Sequence, residues 1–76
     1  MTTLRRVNLD STTLAAATYN DCHGQLQLDF RNGTRYAYSG VGPELFRDLL
    51  YAASKGVFFN QHIRGRFPYA KLSAES

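Results

Sequence analysis

Cysteine and long apolar runs are almost missing from this sequence of 76 residues. Cys22 is the single cysteine, which excludes an internal disulfide framework and is typical of proteins from a reducing compartment. No window approaches the roughly 20 apolar residues of a membrane-spanning helix, and the N-terminal residues lack the apolar segment of a signal peptide. These absences predict a cytoplasmic protein without a membrane partner.

Residues with catalytic or metal-binding chemistry are few and scattered. The two histidines and the cysteine show no pair at zinc-ligand spacing, so no metal site is predicted. Cys22 and His23 are neighbours in a polar turn, where a nucleophile and its base would lack a third group and a pocket. The acids occur singly, and the glycines form no phosphate-binding loop. We therefore expect a protein that is not an enzyme and has no cofactor.

The length and composition predict one small globular domain. Seventy-six residues suffice for a single modest core. Apolar residues make up 43% of the chain and aromatic residues 13%, which is well above the composition of a disordered segment. Residues 1–6 lack periodicity and are expected to be flexible, and residues 73–76 are expected to form a loose tail. Residues 7–72 are then the domain.

Two alternating runs around the Asn-Gly pair at 32–33 predict a β-hairpin. Leu26 and Leu28 alternate with polar residues, the period of a strand with one buried face. A two-residue loop is the local preference of Asn-Gly, but it would place Tyr36 and Tyr38 on the polar face. A three-residue loop with a left-handed glycine pairs Leu28 with Tyr36 and Leu26 with Tyr38. We prefer this second register, because it collects the apolar side chains on one face.

The segments on either side of the hairpin supply the remaining elements. Residues 14–19 are predicted to form a strand before it. Pro43 suits the first position of a helix with an apolar stripe, and Ser54 is placed to cap a second helix. The segment 66–72 is predicted to be extended at the sheet edge. The predicted fold is α+β, a three-stranded antiparallel β-meander followed by two helices packed on one face.

Two features of the sequence point toward nucleic acid. Tyr36 and Tyr38 alternate on one strand, as base-stacking aromatics do in several RNA-binding sheets, although the preferred register makes them a structural aromatic pair. Residues 55–71 contain four cations and no acid, which favours phosphate contacts or simply gives a solvated basic face. The candidate nucleic-acid-binding residues are Arg35, Lys55, Asn60, Arg64, Arg66 and Lys71.

Asn60 and Arg64 are four residues apart on the predicted second helix. This spacing places them on one face, where they would present a polar edge together. The alternative is that Asn60 satisfies buried backbone groups near the turn between the helices. The sequence leaves both interpretations open.

Several short motifs together resemble a known family. They are Tyr-x-Tyr at 36–38, Ala-Ser-x-Gly at 53–56 and Phe-Asn-x-x-Ile-Arg at 59–64. Single residues that add to the resemblance are Ser11, Tyr19, Phe30, Gly33, Val41, Pro43 and Tyr69. The chain from 7 to 72 is similar to the KTSC domain, a small module that resembles the C-terminal extension of some lysyl-tRNA synthetases. The residues that this resemblance singles out are Tyr36, Tyr38, Ser54, Asn60 and Arg64.

The association with a synthetase implies RNA as a partner, although these 76 residues do not themselves contain a synthetase catalytic domain. The sequence therefore predicts a small non-catalytic binding module for RNA or single-stranded nucleic acid, bound through the basic C-terminal face. The alternative is a protein–protein interaction adaptor that does not bind nucleic acid and docks through an edge strand or the helix face. The oligomeric state stays open.

Overall fold

An antiparallel β-sheet forms one layer of the protein. The computed structural model describes residues 4–72. The strands lie in sequence order across the sheet and are β1 (Leu4–Asn8), β2 (Leu14–Asn20), β3 (Gln25–Phe30), β4 (Arg35–Tyr38) and β5 (Tyr69–Lys71). The first four form a meander, and β5 returns after the helices to pair with β4.

The prediction of three strands is wrong in number, because a further strand lies at each edge of the meander. β1 begins at Leu4, so residues 4–6, which were expected to precede the domain, pair with β2. Only Val7 of this strand is even half-buried, so the alternation that reveals a strand is missing from its sequence. The segment predicted to be extended at the sheet edge contains β5, which pairs with β4. Residues 1–3 and 73–76 lie outside the described residues.

The hairpin has the predicted register. Leu28 is paired with Tyr36 and Leu26 with Tyr38. The three-residue loop closes through a hydrogen bond from the Phe30 N–H to the Thr34 carbonyl at 2.8 Å. Its glycine at 33 has φ of 92°, a conformation that costs other residues about 1–2 kcal/mol. Burial of the apolar face therefore outweighs the local preference of Asn-Gly for a shorter turn.

The first predicted helix is confirmed as α1 (Pro43–Tyr51). Pro43 stands at its start, where a missing N–H is harmless, and Glu44 lies in the first turn, where its charge suits the helix dipole. Phe46 and Leu49 are the buried residues of its apolar stripe. The helix therefore covers the sheet as its periodicity predicts.

The second predicted helix is present, but it changes geometry along its length. α2 (Lys55–Phe58) is capped by Ser54, whose hydroxyl accepts a hydrogen bond from the Val57 N–H at 3.4 Å. It continues directly into a π-helical turn (Phe59–Ile63). None of the helical segments within residues 4–72 is long and apolar enough to cross a membrane.

The core lies between the helical segments and one face of the sheet. Tyr19 of β2 stacks on Phe46 of α1, with ring centroids 4.9 Å apart, and donates its hydroxyl hydrogen bond to the Val41 carbonyl at 2.7 Å. Phe59 of the π-helical turn packs against Tyr38 of β4. Both contacts use the face of the sheet that carries the leucines of β3. The helices therefore share one side, as predicted.

Gly24 brings the β2–β3 turn against the segment before α1. Its carbonyl accepts the Val41 N–H at 2.8 Å, and its φ is 61°. A Cβ at this position would stand 3.2 Å from the Val41 oxygen, whereas a Cβ at Gly40, with φ of 78°, would meet nothing within 4 Å. The two glycines therefore share a left-handed backbone conformation, but only Gly24 is packed closely against another segment.

We expect Gly24→Ala to lower the free energy of unfolding by about 2–3 kcal/mol and Gly40→Ala by about 1 kcal/mol. Both variants pay the cost of a left-handed alanine, but only the first forces a side chain against the Val41 carbonyl. Urea denaturation measures both values. Equal losses in the two variants would show that the close approach to Val41 has no energetic weight.

Candidate functional site

A groove of about 610 Å³ opens between the π-helical turn and the β3–β4–β5 end of the sheet. This volume lies within the range of ligand pockets, about 300–1,000 Å³. We call it the aromatic groove. It is lined by Thr13, Phe30, Asn32, Thr34, Tyr36, Tyr38, Phe59, Asn60, Arg64, Gly65 and Tyr69. Among the described residues, this lining contains no acid and one cation.

Five aromatic rings form a continuous floor in the groove. Phe59 packs edge-on against Phe30 at 5.3 Å and against Tyr38 at 5.8 Å between centroids. Tyr36 packs edge-on against Phe30 at 5.8 Å and against Tyr69 at 5.5 Å. Such contacts hold the rings in fixed orientations. The floor is therefore a preformed surface rather than a set of independent side chains.

Tyr38 combines a buried ring with a hydroxyl at the groove. The residue is 4% exposed. Its hydroxyl makes no hydrogen bond within residues 4–72, and no buried side-chain oxygen there lacks a partner, so the hydroxyl reaches the groove surface. Burial, together with Tyr36 and Tyr69, raises the pKa of Tyr38 to about 12, while Arg64 opposes the shift. At neutral pH this hydroxyl is an uncharged donor and acceptor.

Asn60 and Arg64 form the polar rim of the aromatic groove. They face the same side of the π-helical turn, and the Arg64 Nη1 lies 3.5 Å from the Asn60 Oδ1. Both residues are exposed, so Asn60 presents a polar edge and does not satisfy buried backbone. Among the described residues, no carboxylate lies within ion-pair distance of Arg64. Its charge is therefore available to a ligand.

Two further candidate residues lie near this rim. Lys71 is opposite Tyr36 in the β4–β5 register, which places it on the groove face of the sheet. Arg66 is exposed in the turn between the π-helical segment and β5, with its backbone N–H bonded to the Ile63 carbonyl at 3.0 Å. Lys71 therefore joins Arg64 on the groove side, and Arg66 lies two residues after Arg64 along the chain.

The remaining two candidates lie elsewhere. Arg35 pairs with Asp29 in the β3–β4 register, on the opposite face of the sheet, and its Nε lies 4.0 Å from that carboxylate. Arg6 also binds Asp29, at 3.1 Å. Lys55 donates to the Ala52 carbonyl at 2.7 Å, at the C-terminal end of α1. The structure therefore does not bring the six candidate residues together on one surface.

The Ala-Ser-x-Gly motif positions the π-helical turn. Ser54 caps α2, and Gly56 lies so close to Thr13 that a Cβ would stand 2.9 Å from its Oγ1. In the following motif, Phe59 and Ile63 are buried while Asn60 and Arg64 are exposed. The motif residues thus divide into those that pack the helix and those that face the groove.

Tyr69 was not among the six candidate binding residues, and Thr13 and Asn32 were not identified from the sequence. Tyr69 joins the floor only because β5 pairs with β4, a pairing that the alternation of the hairpin does not reveal. Thr13 and Asn32 come from separate loops, and no local pattern relates them. Pro68 is the one usable signal, because it marks a segment that suits a sheet edge.

Metal-binding chemistry is not concentrated anywhere in residues 4–72. No group of three or more histidine, cysteine, aspartate or glutamate side chains lies close enough together there to hold an ion. The titratable side chains that line the aromatic groove are three tyrosines and Arg64.

The sequence of this chain matches a known family of small domains. The model of the KTSC domain matches residues 10–67. The chain belongs to the KTSC family. A KTSC domain protein from Yersinia pestis has a crystal structure that covers 93% of this chain and 100% of its own, with a TM-score of 0.87 and 29% identity. The resemblance inferred from the motifs is thereby confirmed, and so is the α+β class.

Other relatives of this KTSC domain are small proteins or a segment of an enzyme. A protein of Tsukamurella paurometabola is 41% identical over 59 residues, which cover 78% of this chain and 88% of that protein. An uncharacterized protein of Stutzerimonas stutzeri is 38% identical over 58 residues, 76% of this chain and 82% of its own. The lysine–tRNA ligase of Nostoc punctiforme is 42% identical over 48 residues, which make up 63% of this chain and 9% of the ligase.

We expect the stability of this KTSC domain to fall between pH 10 and pH 12. Unfolded Tyr38 loses its proton near pH 10, whereas the folded state keeps it to about pH 12. The folded state then binds more protons, so the free energy of unfolding falls as the pH rises, by about 1 kcal/mol from this group at pH 11.

Chemical denaturation at pH 9, 10 and 11 measures this fall for the wild type and for Tyr38→Phe, which lacks the titrating hydroxyl. The variant should show the shallower pH dependence. Identical curves would contradict the assignment to Tyr38.

Proposed function

We propose that this KTSC domain is a non-catalytic module that binds RNA or other single-stranded nucleic acid across the aromatic groove. One observation carries the proposal: an exposed aromatic ring, Tyr69, and the Arg64 guanidinium lie in one groove. Within residues 4–72, Arg64 has no carboxylate partner and the groove lining contains no acid. Single strands are bound by this combination, because bases stack on aromatic rings and phosphates pair with cations.

The charge distribution favours the groove side of the sheet over its opposite face as the surface that binds phosphate. Arg64, Lys71 and Arg66 lie on or near the groove and have no acid within ion-pair distance among residues 4–72. Arg6 and Arg35, in contrast, flank the carboxylate of Asp29, which reduces the charge that they offer to phosphate. We therefore propose that the phosphates contact the basic residues of the C-terminal segment, Arg64, Arg66 and Lys71.

The chemistry of the lining supports binding rather than catalysis. Its titratable groups are tyrosines and one arginine, and the raised pKa of Tyr38 makes that hydroxyl a poor base at neutral pH. A nucleophile with an adjacent base, the usual requirement for covalent catalysis, is not among the lining residues.

The relatives support RNA as the partner class. One matched segment belongs to a lysine–tRNA ligase, an enzyme that acts on tRNA, so a related domain is attached to a protein that handles RNA. The proposal includes a cytoplasmic location, which the single cysteine supports.

A protein–protein adaptor is the second candidate function. A groove of about 450 Å³ lies between β1 and α1, where the Arg5 guanidinium covers the Phe46 ring at 5.8 Å. Arg47, Asp21 and Glu44 surround it. Charges of both signs suit a protein surface better than a polyphosphate backbone. Capture of a protein partner that survives nuclease treatment and is lost in Arg5→Ala would favour this function.

We expect Arg64→Ala to weaken binding of a single-stranded octanucleotide by about tenfold, because a contact to a charged group contributes roughly 1.5 kcal/mol. Arg35→Ala removes the same charge from the opposite face and should change the affinity less than about twofold. Fluorescence anisotropy with labelled RNA measures both. A larger effect of Arg35→Ala would assign the binding surface to the outer face of the sheet.

The salt dependence of binding tests how many phosphates the domain contacts. Two contacts predict a loss of about sevenfold between 50 and 200 mM salt, whereas six contacts predict about 300-fold. Because the structure separates the six candidate residues, we expect a value near the lower figure. The same anisotropy titration, repeated at four salt concentrations, gives the slope. A slope that corresponds to six phosphate contacts would mean that residues beyond the groove side take part in binding.

A further inference from the structure

The rings of the aromatic groove are too close together to admit a base between them. Their neighbouring centroids lie 5.3 to 6.3 Å apart. A base sandwiched between two rings needs about 3.5 Å on each side, and therefore about 7 Å in all. A base can stack only on the outer face of a ring, where it remains accessible.

Tyr69 provides such a face. It is 62% exposed, whereas the other four rings of the floor are buried or half-buried. Its contacts with Tyr36 and Tyr38, at 5.5 and 5.7 Å between centroids, hold it in place. The groove therefore offers one stacking position and not a series of them.

Groups that both donate and accept hydrogen bonds line the same groove. They are the side chains of Thr13, Asn32, Thr34 and Asn60. Side-chain amides match the adjacent donor and acceptor on the edge of a nucleobase. The Tyr38 hydroxyl adds a further group of this kind at the floor. The groove lining thus offers partners for the polar edge of a base, and Tyr69 offers a surface for its face.

We infer that the aromatic groove holds a single nucleotide, with its base stacked on Tyr69 and its phosphate at Arg64. The inference rests on the proposed function and narrows its ligand class from a strand to one unstacked nucleotide. The groove volume of about 610 Å³ accommodates a ligand of that size. Further nucleotides of a strand add phosphate contacts but meet no second exposed ring in the groove.

The length dependence of binding tests this inference. Adenosine 5′-monophosphate and oligoadenylates of two, four and eight nucleotides compete against a labelled octaadenylate at 50 mM salt. The mononucleotide should displace the label. Its affinity should lie within about tenfold of the octamer's affinity divided by the eight nucleotides of the octamer. If the octamer binds but millimolar mononucleotide does not displace it, the single-nucleotide site is overturned and the proposed function stands. If no length binds, both are overturned.

A variant series tests the role of the exposed ring. Tyr69→Ala should lower the affinity for the mononucleotide about 5-fold to 150-fold, the measured range for loss of one stacking ring. Tyr69→Phe keeps the ring and should bind like the wild type. Tyr51→Ala is the matched control, because Tyr51 is 81% exposed but does not line the aromatic groove. Equal binding by Tyr69→Ala and the wild type would overturn the inference.

An abasic octamer makes the test independent of protein folding. It keeps the phosphates and lacks the bases. The wild-type domain should therefore bind it more weakly than the octaadenylate, by a factor similar to the loss expected for Tyr69→Ala. Equal affinity for the two strands would show that charge alone holds the strand, which overturns the single-nucleotide site.

Discussion

The pairing of β3 with β4 is the constraint on which the groove depends. A side chain changes face with each residue along a strand, so a slip of one residue would move both tyrosines of β4 to the solvent side. The glycine at 33, with φ of 92°, permits the three-residue loop that prevents this slip. Leu28 then lies opposite Tyr36, and β5 adds Tyr69 to the same face. Core and groove are two ends of one apolar surface.

Local patterns account for the parts of the fold that the sequence predicts. The alternation of Leu26 with Leu28, the proline at 43 and the capping serine at 54 are each read within a few residues, and each lies where its pattern indicates. In the candidate site, Asn60 and Arg64 share an edge because four residues separate them along one helical segment. These features depend on short-range geometry, which sequence patterns describe well.

The features that were missed depend on tertiary contacts. β1 has almost no buried side chain, and the π-helical turn has no recognised sequence signal. The sequence groups the basic candidates as one set, but the fold directs them differently: Arg35 toward Asp29, Lys55 toward a helix end and Arg64 toward the groove. Charge counted along a sequence does not specify which face receives it, because each position on a strand or helix fixes its own direction.

The pairing of β5 with β4 determines when the aromatic groove is complete. It is three residues long and lies at the edge of the sheet, and short edge elements open more readily than the core. Tyr69 occupies its place in the groove only while β5 is paired with β4. The affinity of a ligand is therefore scaled by the fraction of molecules in which this strand is docked, and a bound ligand in turn holds the strand in place. During synthesis, the groove becomes complete only after β5 has emerged and paired with β4.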